Sequence, residues 1–220
     1  MTINAPYPGP QALPRRIPVF PLTGAILLPR AQMPLNIFEP RYLAMIEDAM
    51  RGDRLIGMIQ PDAASPATAR GPALYRVGGA GRITQYAETG DGRLLISLHG
   101  VARFRIVAEA AVDAPYRQCE VDFADFAADF DAQETVEPDR ERIVSTLRRF
   151  AQARRMCVDW SGIDETPTET LVNALAMMSP FAAAEKQAFL EAPSLQARAD
   201  MLVAATEMDL AAPAGKASLQ

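Results

Sequence analysis

Histidine is almost missing from this chain. His99 is the only one in 220 residues. That excludes any metal site built on a pair of histidines, and any nucleophile–histidine pair would have to use His99. No G-x-S-x-G elbow accompanies it. There is no G-x-x-x-x-G-K-[ST] loop, so P-loop nucleotide hydrolysis is excluded. Gly79-x-Gly81 lacks the third glycine of a dinucleotide fingerprint and reads as a bend in a strand. Only two cysteines occur, Cys119 and Cys157, far apart and without a CxxC, which reads as a reduced pair in a cytoplasmic protein. No apolar run reaches the roughly 18 residues that a bilayer span needs. Lysine is confined to Lys186 and Lys216. Ser179 with Lys186 is a conceivable Ser–Lys dyad, but the spacing suits a helix cap and a surface helix position. No cofactor, metal site or catalytic set follows, and the chain is not expected to be an enzyme.

What is present is ordinary globular material, 49% hydrophobic and 22% charged. The charge is uneven. Residues 1–108 hold 12 basic and 7 acidic side chains, and residues 109–220 hold 10 and 20. Arginine supplies nearly all the positive charge and suits planar, bidentate contacts with carboxylates. The acidic cluster from Glu120 to Glu141 reads as a connector.

The chain is organised around Met33 to Tyr42. Pro34 removes a ladder donor, so Leu35–Phe38 reads as an edge or entry strand. Glu39 stands at a helix cap with Pro40 at the first helical position. Leu43, Ile46 and Met50 follow at helical spacing, and Gly52 stops the helix. Glu39 and Arg41 form an ion pair across this corner. On residue chemistry alone this is a strand-to-helix corner packing a core.

Before Phe126 the pattern is β-rich. Arg54–Gln60 reads as a buried strand and Asp62–Pro72 as a mobile loop. Tyr75–Tyr86 reads as a long strand bent at Gly78, Gly79 and Gly81. Gly90-Asp91-Gly92 signals a hairpin. Leu94, Ile96 and Leu98 alternate with Leu95, Ser97 and His99, and His99 reads as packed or solvent-tipped. Arg103 and Arg105 read as a solvated strand face, alternating with Phe104 and Ile106. Several short strands and one early helix fit a small, partly closed barrel.

After Pro138 the pattern is helical. Ile143, Leu147, Phe150 and Ala151 share a face. Thr166-Pro167-Thr168-Glu169 reads as a capping box before Leu171, Val172, Leu175 and Met178. Ser179-Pro180 opens a helix with Phe189 and Leu190, and Pro193-Ser194 opens the last, with Leu195, Leu202 and Val203 inward. Methionines such as Met177, Met178 and Met201 fall at core spacing. Trp160 reads as a plug between bundle and barrel. The expected organisation is a flexible tail (1–14), a barrel (15–126), an acidic connector (127–137), a helical bundle (138–210) and a disordered tail (211–220).

Four ordered blocks carry a resemblance. Pro34-Leu35-x-Ile37-Phe38-Glu39-x-Arg41-Tyr42 resembles the signature of the Lon protease N-terminal domain. Leu27-Leu28-Pro29 resembles that family's Leu-Phe-Pro-Gly turn, with Arg30 where the family usually has glycine. Val77-Gly78-x-x-x-Arg82-Ile83 and Gly100-x-x-Arg103-Phe104, with Pro115-Tyr116 beyond, resemble two of its strands. The resemblance implies an α+β fold, a PUA-like β-barrel followed by a helical bundle. It implies a bacterial-type recognition module that binds unfolded or degron-bearing protein segments, in a stand-alone form lacking the ATPase and Ser–Lys protease domains. Phe38, Glu39, Arg41, Tyr42 and Arg82, with the Asp62–Pro72 loop, are the implied peptide surface. The alternatives are an RNA-binding PUA-like module, which the net charge of −5 disfavours, and an adaptor delivering clients to a separate protease. Protein clients are the implied partners, with no membrane and no nucleic acid.

Overall fold

The computed structural model describes residues 7–131 and 137–211. One strand, β5 (Leu94–Glu109), is long enough to serve three neighbours. The others are β1 (Arg16–Pro21), β2 (Gln32–Ile37), β3 (Leu55–Ile59), β4 (Val77–Glu88) and β6 (Gln118–Asp122). The sheet order is β2-β5-β4-β3-β1-β6, and β6 pairs again with β5. The first half of β5 takes β2, with Leu94 opposite Ile37 and His99 opposite Gln32. Its last turns take β6, with Arg105 opposite Asp122 and Glu109 opposite Cys119. β1, β3, β4, β5 and β6 thus close on themselves, and β2 is an added edge strand. Gly90 and Gly92, at φ 80° and 84°, make the turn from β4 into β5 that the sequence signals.

Inside the closed part, Ile17, Val19, Leu55, Ile59, Phe104, Cys119, Val121 and Phe123 form one core. Burial pushes the Cys119 thiol up to about 11. The segment between β1 and β2 threads against the sheet, with Ile26, Leu27 and Leu28 fully buried. Its backbone comes so close that a Cβ on Gly79 would lie 1.9 Å from the Leu27 carbonyl oxygen, and one on Gly100 2.0 Å from that of Leu28. The glycines of β4 therefore serve a close approach as well as the bulge between Ala80 and Gly81. Arg30, where the family usually has glycine, adopts φ 63°. Its amide donates to Gly100 O at 2.8 Å and its guanidinium to Asp129 O at 2.8 Å.

The first helix, α1 (Pro40–Arg51), begins at Glu39 and stops at Gly52. Its buried stripe is Tyr42, Met45, Ile46 and Ala49. Leu43 and Met50, the inward positions by spacing, are only half-buried. The helix is rotated by about one position from the simplest apolar reading, because Tyr42 packs against Phe20 with the rings tilted at 46° and their centroids 4.2 Å apart.

Several boundaries differ from the expected ones. Within the N-terminal stretch read as a tail, Pro10–Ala12 forms a 3-10 turn, Leu13 is buried in the barrel core, and Tyr7 packs against that core. A proline-rich composition hid two anchoring apolar side chains. Residues 1–6 lie outside the described residues. The start of the acidic connector is folded: Ala124–Phe130 is a 3-10 segment that buries Phe126 and Asp129. Residues 132–136, the rest of that connector but for Asp131 and Glu137, and residues 212–220 of the C-terminal tail lie outside the described residues.

Five more helices follow: α2 (Arg140–Ala153), α3 (Trp160–Glu165), α4 (Thr168–Met178), α5 (Ala183–Glu191) and α6 (Leu195–Ala211). Two compact units result. The sheet unit holds the described residues up to 131 together with Pro180–Glu191, so α5 belongs to it and not to the helical bundle. The reason is specific bonding. Gln187 donates to Val77 O at 3.0 Å, Gln60 donates to Ala183 O at 2.9 Å, and Arg103 donates to Leu190 O at 3.2 Å. Lys186 on α5 is buried, not at the surface, and burial lowers its pKa.

The helical unit packs Ile143, Leu171, Val172, Leu195, Ala199 and Val203. Asp139 caps α2, accepting from the Arg142 amide at 3.0 Å. Ser194 accepts from the Ala197 amide at 3.1 Å at the start of α6. Arg142 and Arg149 on α2, and Arg154 just past its end, meet Asp200, Glu207 and Asp209 on α6 in register, so these helices run parallel. The capping box at Thr166 is not formed. Pro167 is the cap residue of α4, and the Thr166 hydroxyl donates back to Gly162 O at 2.7 Å. Trp160 opens α3 beneath the Arg148 guanidinium, 4.9 Å from its ring centroid. Met178 is 83% exposed, so it is not a core methionine.

Candidate functional site

β2 ends by turning Ile37 inward and Phe38 outward. Ile37 is buried and Phe38 is 62% exposed. Pro40 starts α1 two residues later, so the chain has no length in which to fold Phe38 back. Glu39 and Arg41 form the anticipated ion pair, Arg41 Nε donating to Glu39 Oε2 at 2.9 Å. Both side chains are solvated, so the pair holds the corner weakly. Tyr42 is different. It is 6% exposed, Phe20 covers it on one side, and the Arg41 guanidinium lies 4.5 Å from its ring centroid. Burial is the largest influence on its phenol and raises its pKa. The structure therefore places Tyr42 in the core, because helical periodicity turns it inward while Arg41 stays at the surface.

Arg82 is not beside Phe38. It lies on β4 opposite Leu55 and His99, with its guanidinium 4.1 Å from the Tyr7 ring centroid. The Asp62–Pro72 loop is also elsewhere. It is closed by the Asp62 amide on Ala73 O at 2.8 Å. It is tied to the far end of β5 through Arg117, which donates to Pro72 O at 2.7 Å and pairs with Glu109 at 2.7 Å. Arg103 leaves the solvated face assigned to it and is buried against Asp129, whereas Arg105 is exposed and pairs with Asp125 at 2.8 Å.

Sheet register shows what does surround Phe38. Successive residues of a strand face opposite sides, so paired residues in alternate rows share one face. Outward from the hairpin these rows are Asn36–Leu95–Ala87, then Pro34–Ser97–Gln85, then Gln32–His99–Arg82. Phe38 and Arg93 precede them, with the Arg93 guanidinium 5.9 Å from the Phe38 ring centroid. Leu95 is 47% exposed, and Pro34 and Ala87 are exposed with it. Phe38 and Leu95 are thus apolar groups on one solvent-facing surface.

The free edge of β2 adjoins this surface. Gly100 donates its amide to Ala31 O at 2.8 Å. Alternation from that pair turns the main-chain groups of Gln32, Pro34 and Asn36 away from β5. Pro34 therefore costs the sheet no ladder bond. The edge offers the amides of Gln32 and Asn36 and three carbonyls to an incoming strand, with the Pro34 gap between them.

His99 occupies the other end of this face. Its pKa is lowered, first by burial and then by the positive charges of Arg82 and Arg30. Among the described residues, no group of three His, Cys, Asp or Glu side chains is placed to hold a metal ion. Leu95, Arg93 and His99 were not singled out from sequence as site residues. The signal for Leu95 was the alternation against Leu94, Ile96 and Leu98, but its neighbourhood with Phe38 required the β2–β5 register.

Comparison with known proteins converges on one family. The model of the ATP-dependent protease La (LON) substrate-binding domain matches residues 16–205. A Lon protease 2 from Myxococcus xanthus is 28% identical over 200 residues, 87% of this chain and 23% of the relative. A Lon protease from Syntrophus aciditrophicus is 31% identical over 115 residues, half of this chain and 14% of the relative. The chain thus spans at most about a quarter of the length of these relatives. The crystal structure of a Lon N-terminal domain protein from Xanthomonas campestris superposes with a TM-score of 0.59 at 23% identity, covering 86% of this chain and 97% of that one. The N-terminal domain of Mycobacterium avium complex Lon protease gives 0.55 at 21% identity, covering 87% and 98%. The fold is the one these domains share.

Proposed function

The chain belongs to the ATP-dependent protease La (LON) substrate-binding domain family, and from that premise we propose that it is a non-catalytic module that holds unfolded or degron-bearing protein segments. The observation that carries this reading is the outward pair of Phe38 and Leu95 on a face bordered by the unpaired edge of β2. An extended segment laid beside β2 gains main-chain bonds along the edge and places apolar side chains against Phe38 and Leu95. Such a site selects for unfolded chain, because a folded client has its main-chain groups already paired. The similarity lies with the substrate-binding domain of the family, which supports a recognition role without hydrolysis. Of the residues named from sequence, Phe38, Glu39 and Arg41 remain candidates for contact, and Tyr42 supports the corner from within.

The test is fluorescence anisotropy of labelled, unstructured apolar peptides with the purified protein, at two salt concentrations. Salt-tolerant binding that weakens roughly tenfold in Leu95→Asp and Phe38→Ala is the expected result, as for truncated interface anchors. Unchanged affinity in both variants would move the site elsewhere. A single-stranded RNA of matched length serves as the control. Steeply salt-dependent RNA binding with silent peptides would replace this reading by one of phosphate contacts.

A further inference from the structure

Pro34 occupies the middle of the outward positions of β2. Met33, Leu35 and Ile37 face Leu98, Ile96 and Leu94 across the ladder, and alternation turns the main-chain groups of Gln32, Pro34 and Asn36 to the open side. An ordinary residue in the middle place would hold out an N–H to an added strand. Proline has none, and its ring fills the space that an incoming carbonyl would enter. The residue is exposed, so that ring stands at the open edge. The chemistry of the surface changes at the same row. On the hairpin side of Pro34 lie Phe38, Leu95 and Ala87, all exposed. Beside Pro34 itself are Ser97 and Gln85, and beyond it come Gln32, His99 and Arg82. The opposite face of the edge is apolar, with Met33 and Leu35 half-buried.

We propose that Pro34 is a register stop, which confines a bound segment to the Asn36 end of β2 and so selects a short run of consecutive apolar residues over a long strand. The inference rests on the peptide-binding reading above and names the class of segment that the site prefers. From Pro34 to Phe38 the chain advances about 13 Å at the strand rise. Within that span, alternate residues of the segment face opposite sides of the sheet. One set meets Phe38 and Leu95, and the other lies beside Leu35, so both sets are apolar. A longer segment has to carry its next residue past the proline ring. There its carbonyl finds no donor, and leaving such a group desolvated and unpaired is unfavourable. Its outward side chains would also pass from Phe38 and Leu95 onto the polar row of Gln32 and His99. The missing donor and the change of surface thus set the same limit. Proline blunts exposed edges against long strands in the same way in other sheets.

The experiment uses labelled peptides with four, six or eight apolar residues, sharing one terminal Phe-Leu anchor and carrying lysines at both ends for solubility. In anisotropy titrations with the unaltered protein, affinity is expected to level off, the longest peptide binding within about twofold of the shortest. In Pro34→Ala, whose new N–H reopens the edge, the longest should bind roughly fivefold tighter than the shortest, the scale of one net main-chain bond. A merely structural role for Pro34 would shift all lengths alike. An N-methyl scan of the longest peptide on the unaltered protein gives a second reading that needs no variant to fold. Methylation should weaken binding only within the four residues at the anchor end. Affinity that climbs with every added pair of residues in the unaltered protein, or methyl sensitivity along the whole peptide, overturns the stop. So does the same length dependence in Pro34→Ala. In each case binding that still weakens in Leu95→Asp leaves the recognition reading standing. Binding by no peptide, or binding indifferent to Leu95→Asp, overturns both.

Discussion

Arg103 and Asp129 form a bidentate pair that is almost wholly out of solvent, each side chain 7% exposed. Asp129 Oδ2 accepts from the Arg103 amide at 2.8 Å and from Nε at 3.0 Å, and Oδ1 accepts from Nη2 at 2.8 Å. The guanidinium also lies 4.7 Å from the Phe126 ring centroid. One residue thus joins β5, the 3-10 segment after β6 and, through Leu190 O, α5. Removing one charge strands the other. Asp129→Ala should cost about 3–5 kcal/mol in urea unfolding, the range for breaking a buried pair. The double variant Arg103→Met with Asp129→Leu should recover much of that loss. A cost below about 1 kcal/mol for the single variant would show that water reaches the pair.

The threading of Leu27 and Leu28 across the sheet makes a second prediction. Gly79→Ala and Gly100→Ala each drive a methyl into a backbone carbonyl, which cannot step aside as a side chain can. Each should cost about 3 kcal/mol or more and lower soluble yield, the upper end for overpacking. Gly24→Ala makes the contrast. A Cβ there meets nothing, and only the φ of 74° resists it, so about 1 kcal/mol is expected. Thermal melts of the three variants decide the order.

Neighbours in sequence separate surface from core. Phe38→Ala should leave stability within about 0.5 kcal/mol, as an exposed position does. Tyr42→Ala should cost about 3–5 kcal/mol by emptying the space beside Phe20. Equal losses for both would mean that Phe38 is covered in solution.

His99 sets a pH dependence with a definite sign. Its folded pKa lies below the ordinary 6.5 because burial and two arginines disfavour the imidazolium. The unfolded chain therefore binds the proton more readily. His99 costs the fold nothing above its unfolded pKa, and stability falls as pH drops through 6.5 toward its depressed value. In His99→Gln, the decline in stability between pH 7 and pH 5 should be shallower. An identical slope would assign that decline to other groups.

Much of this architecture was legible in the residues. Alternation in β5, the hairpin glycines, Pro40 at the start of α1 and the helical stripes all act over a few residues, where local geometry decides. What escaped notice depended on partners distant in sequence. Arg103 alternates with Phe104 as an exposed residue would, and Asp129, 26 positions on, draws it inside. Tyr42 and Arg41 look equally amphipathic until Phe20 chooses between them. The candidate surface was half visible, since Phe38 follows from the corner motif, whereas Leu95 and His99 join it through pairing register. Arg82 entered by motif and proved to lie at the opposite end of that face.

The membership of α5 in the sheet unit has a consequence for biosynthesis. Gln60 and Val77 wait for partners that are encoded more than a hundred residues downstream, at Ala183 and Gln187. On the ribosome the barrel strands emerge first, yet the last bonds of their own unit close only after the bundle helices α2, α3 and α4 have been made. A nascent chain arrested between the two holds an unfinished barrel, and a truncated gene product ending after the acidic stretch would carry that unfinished state permanently.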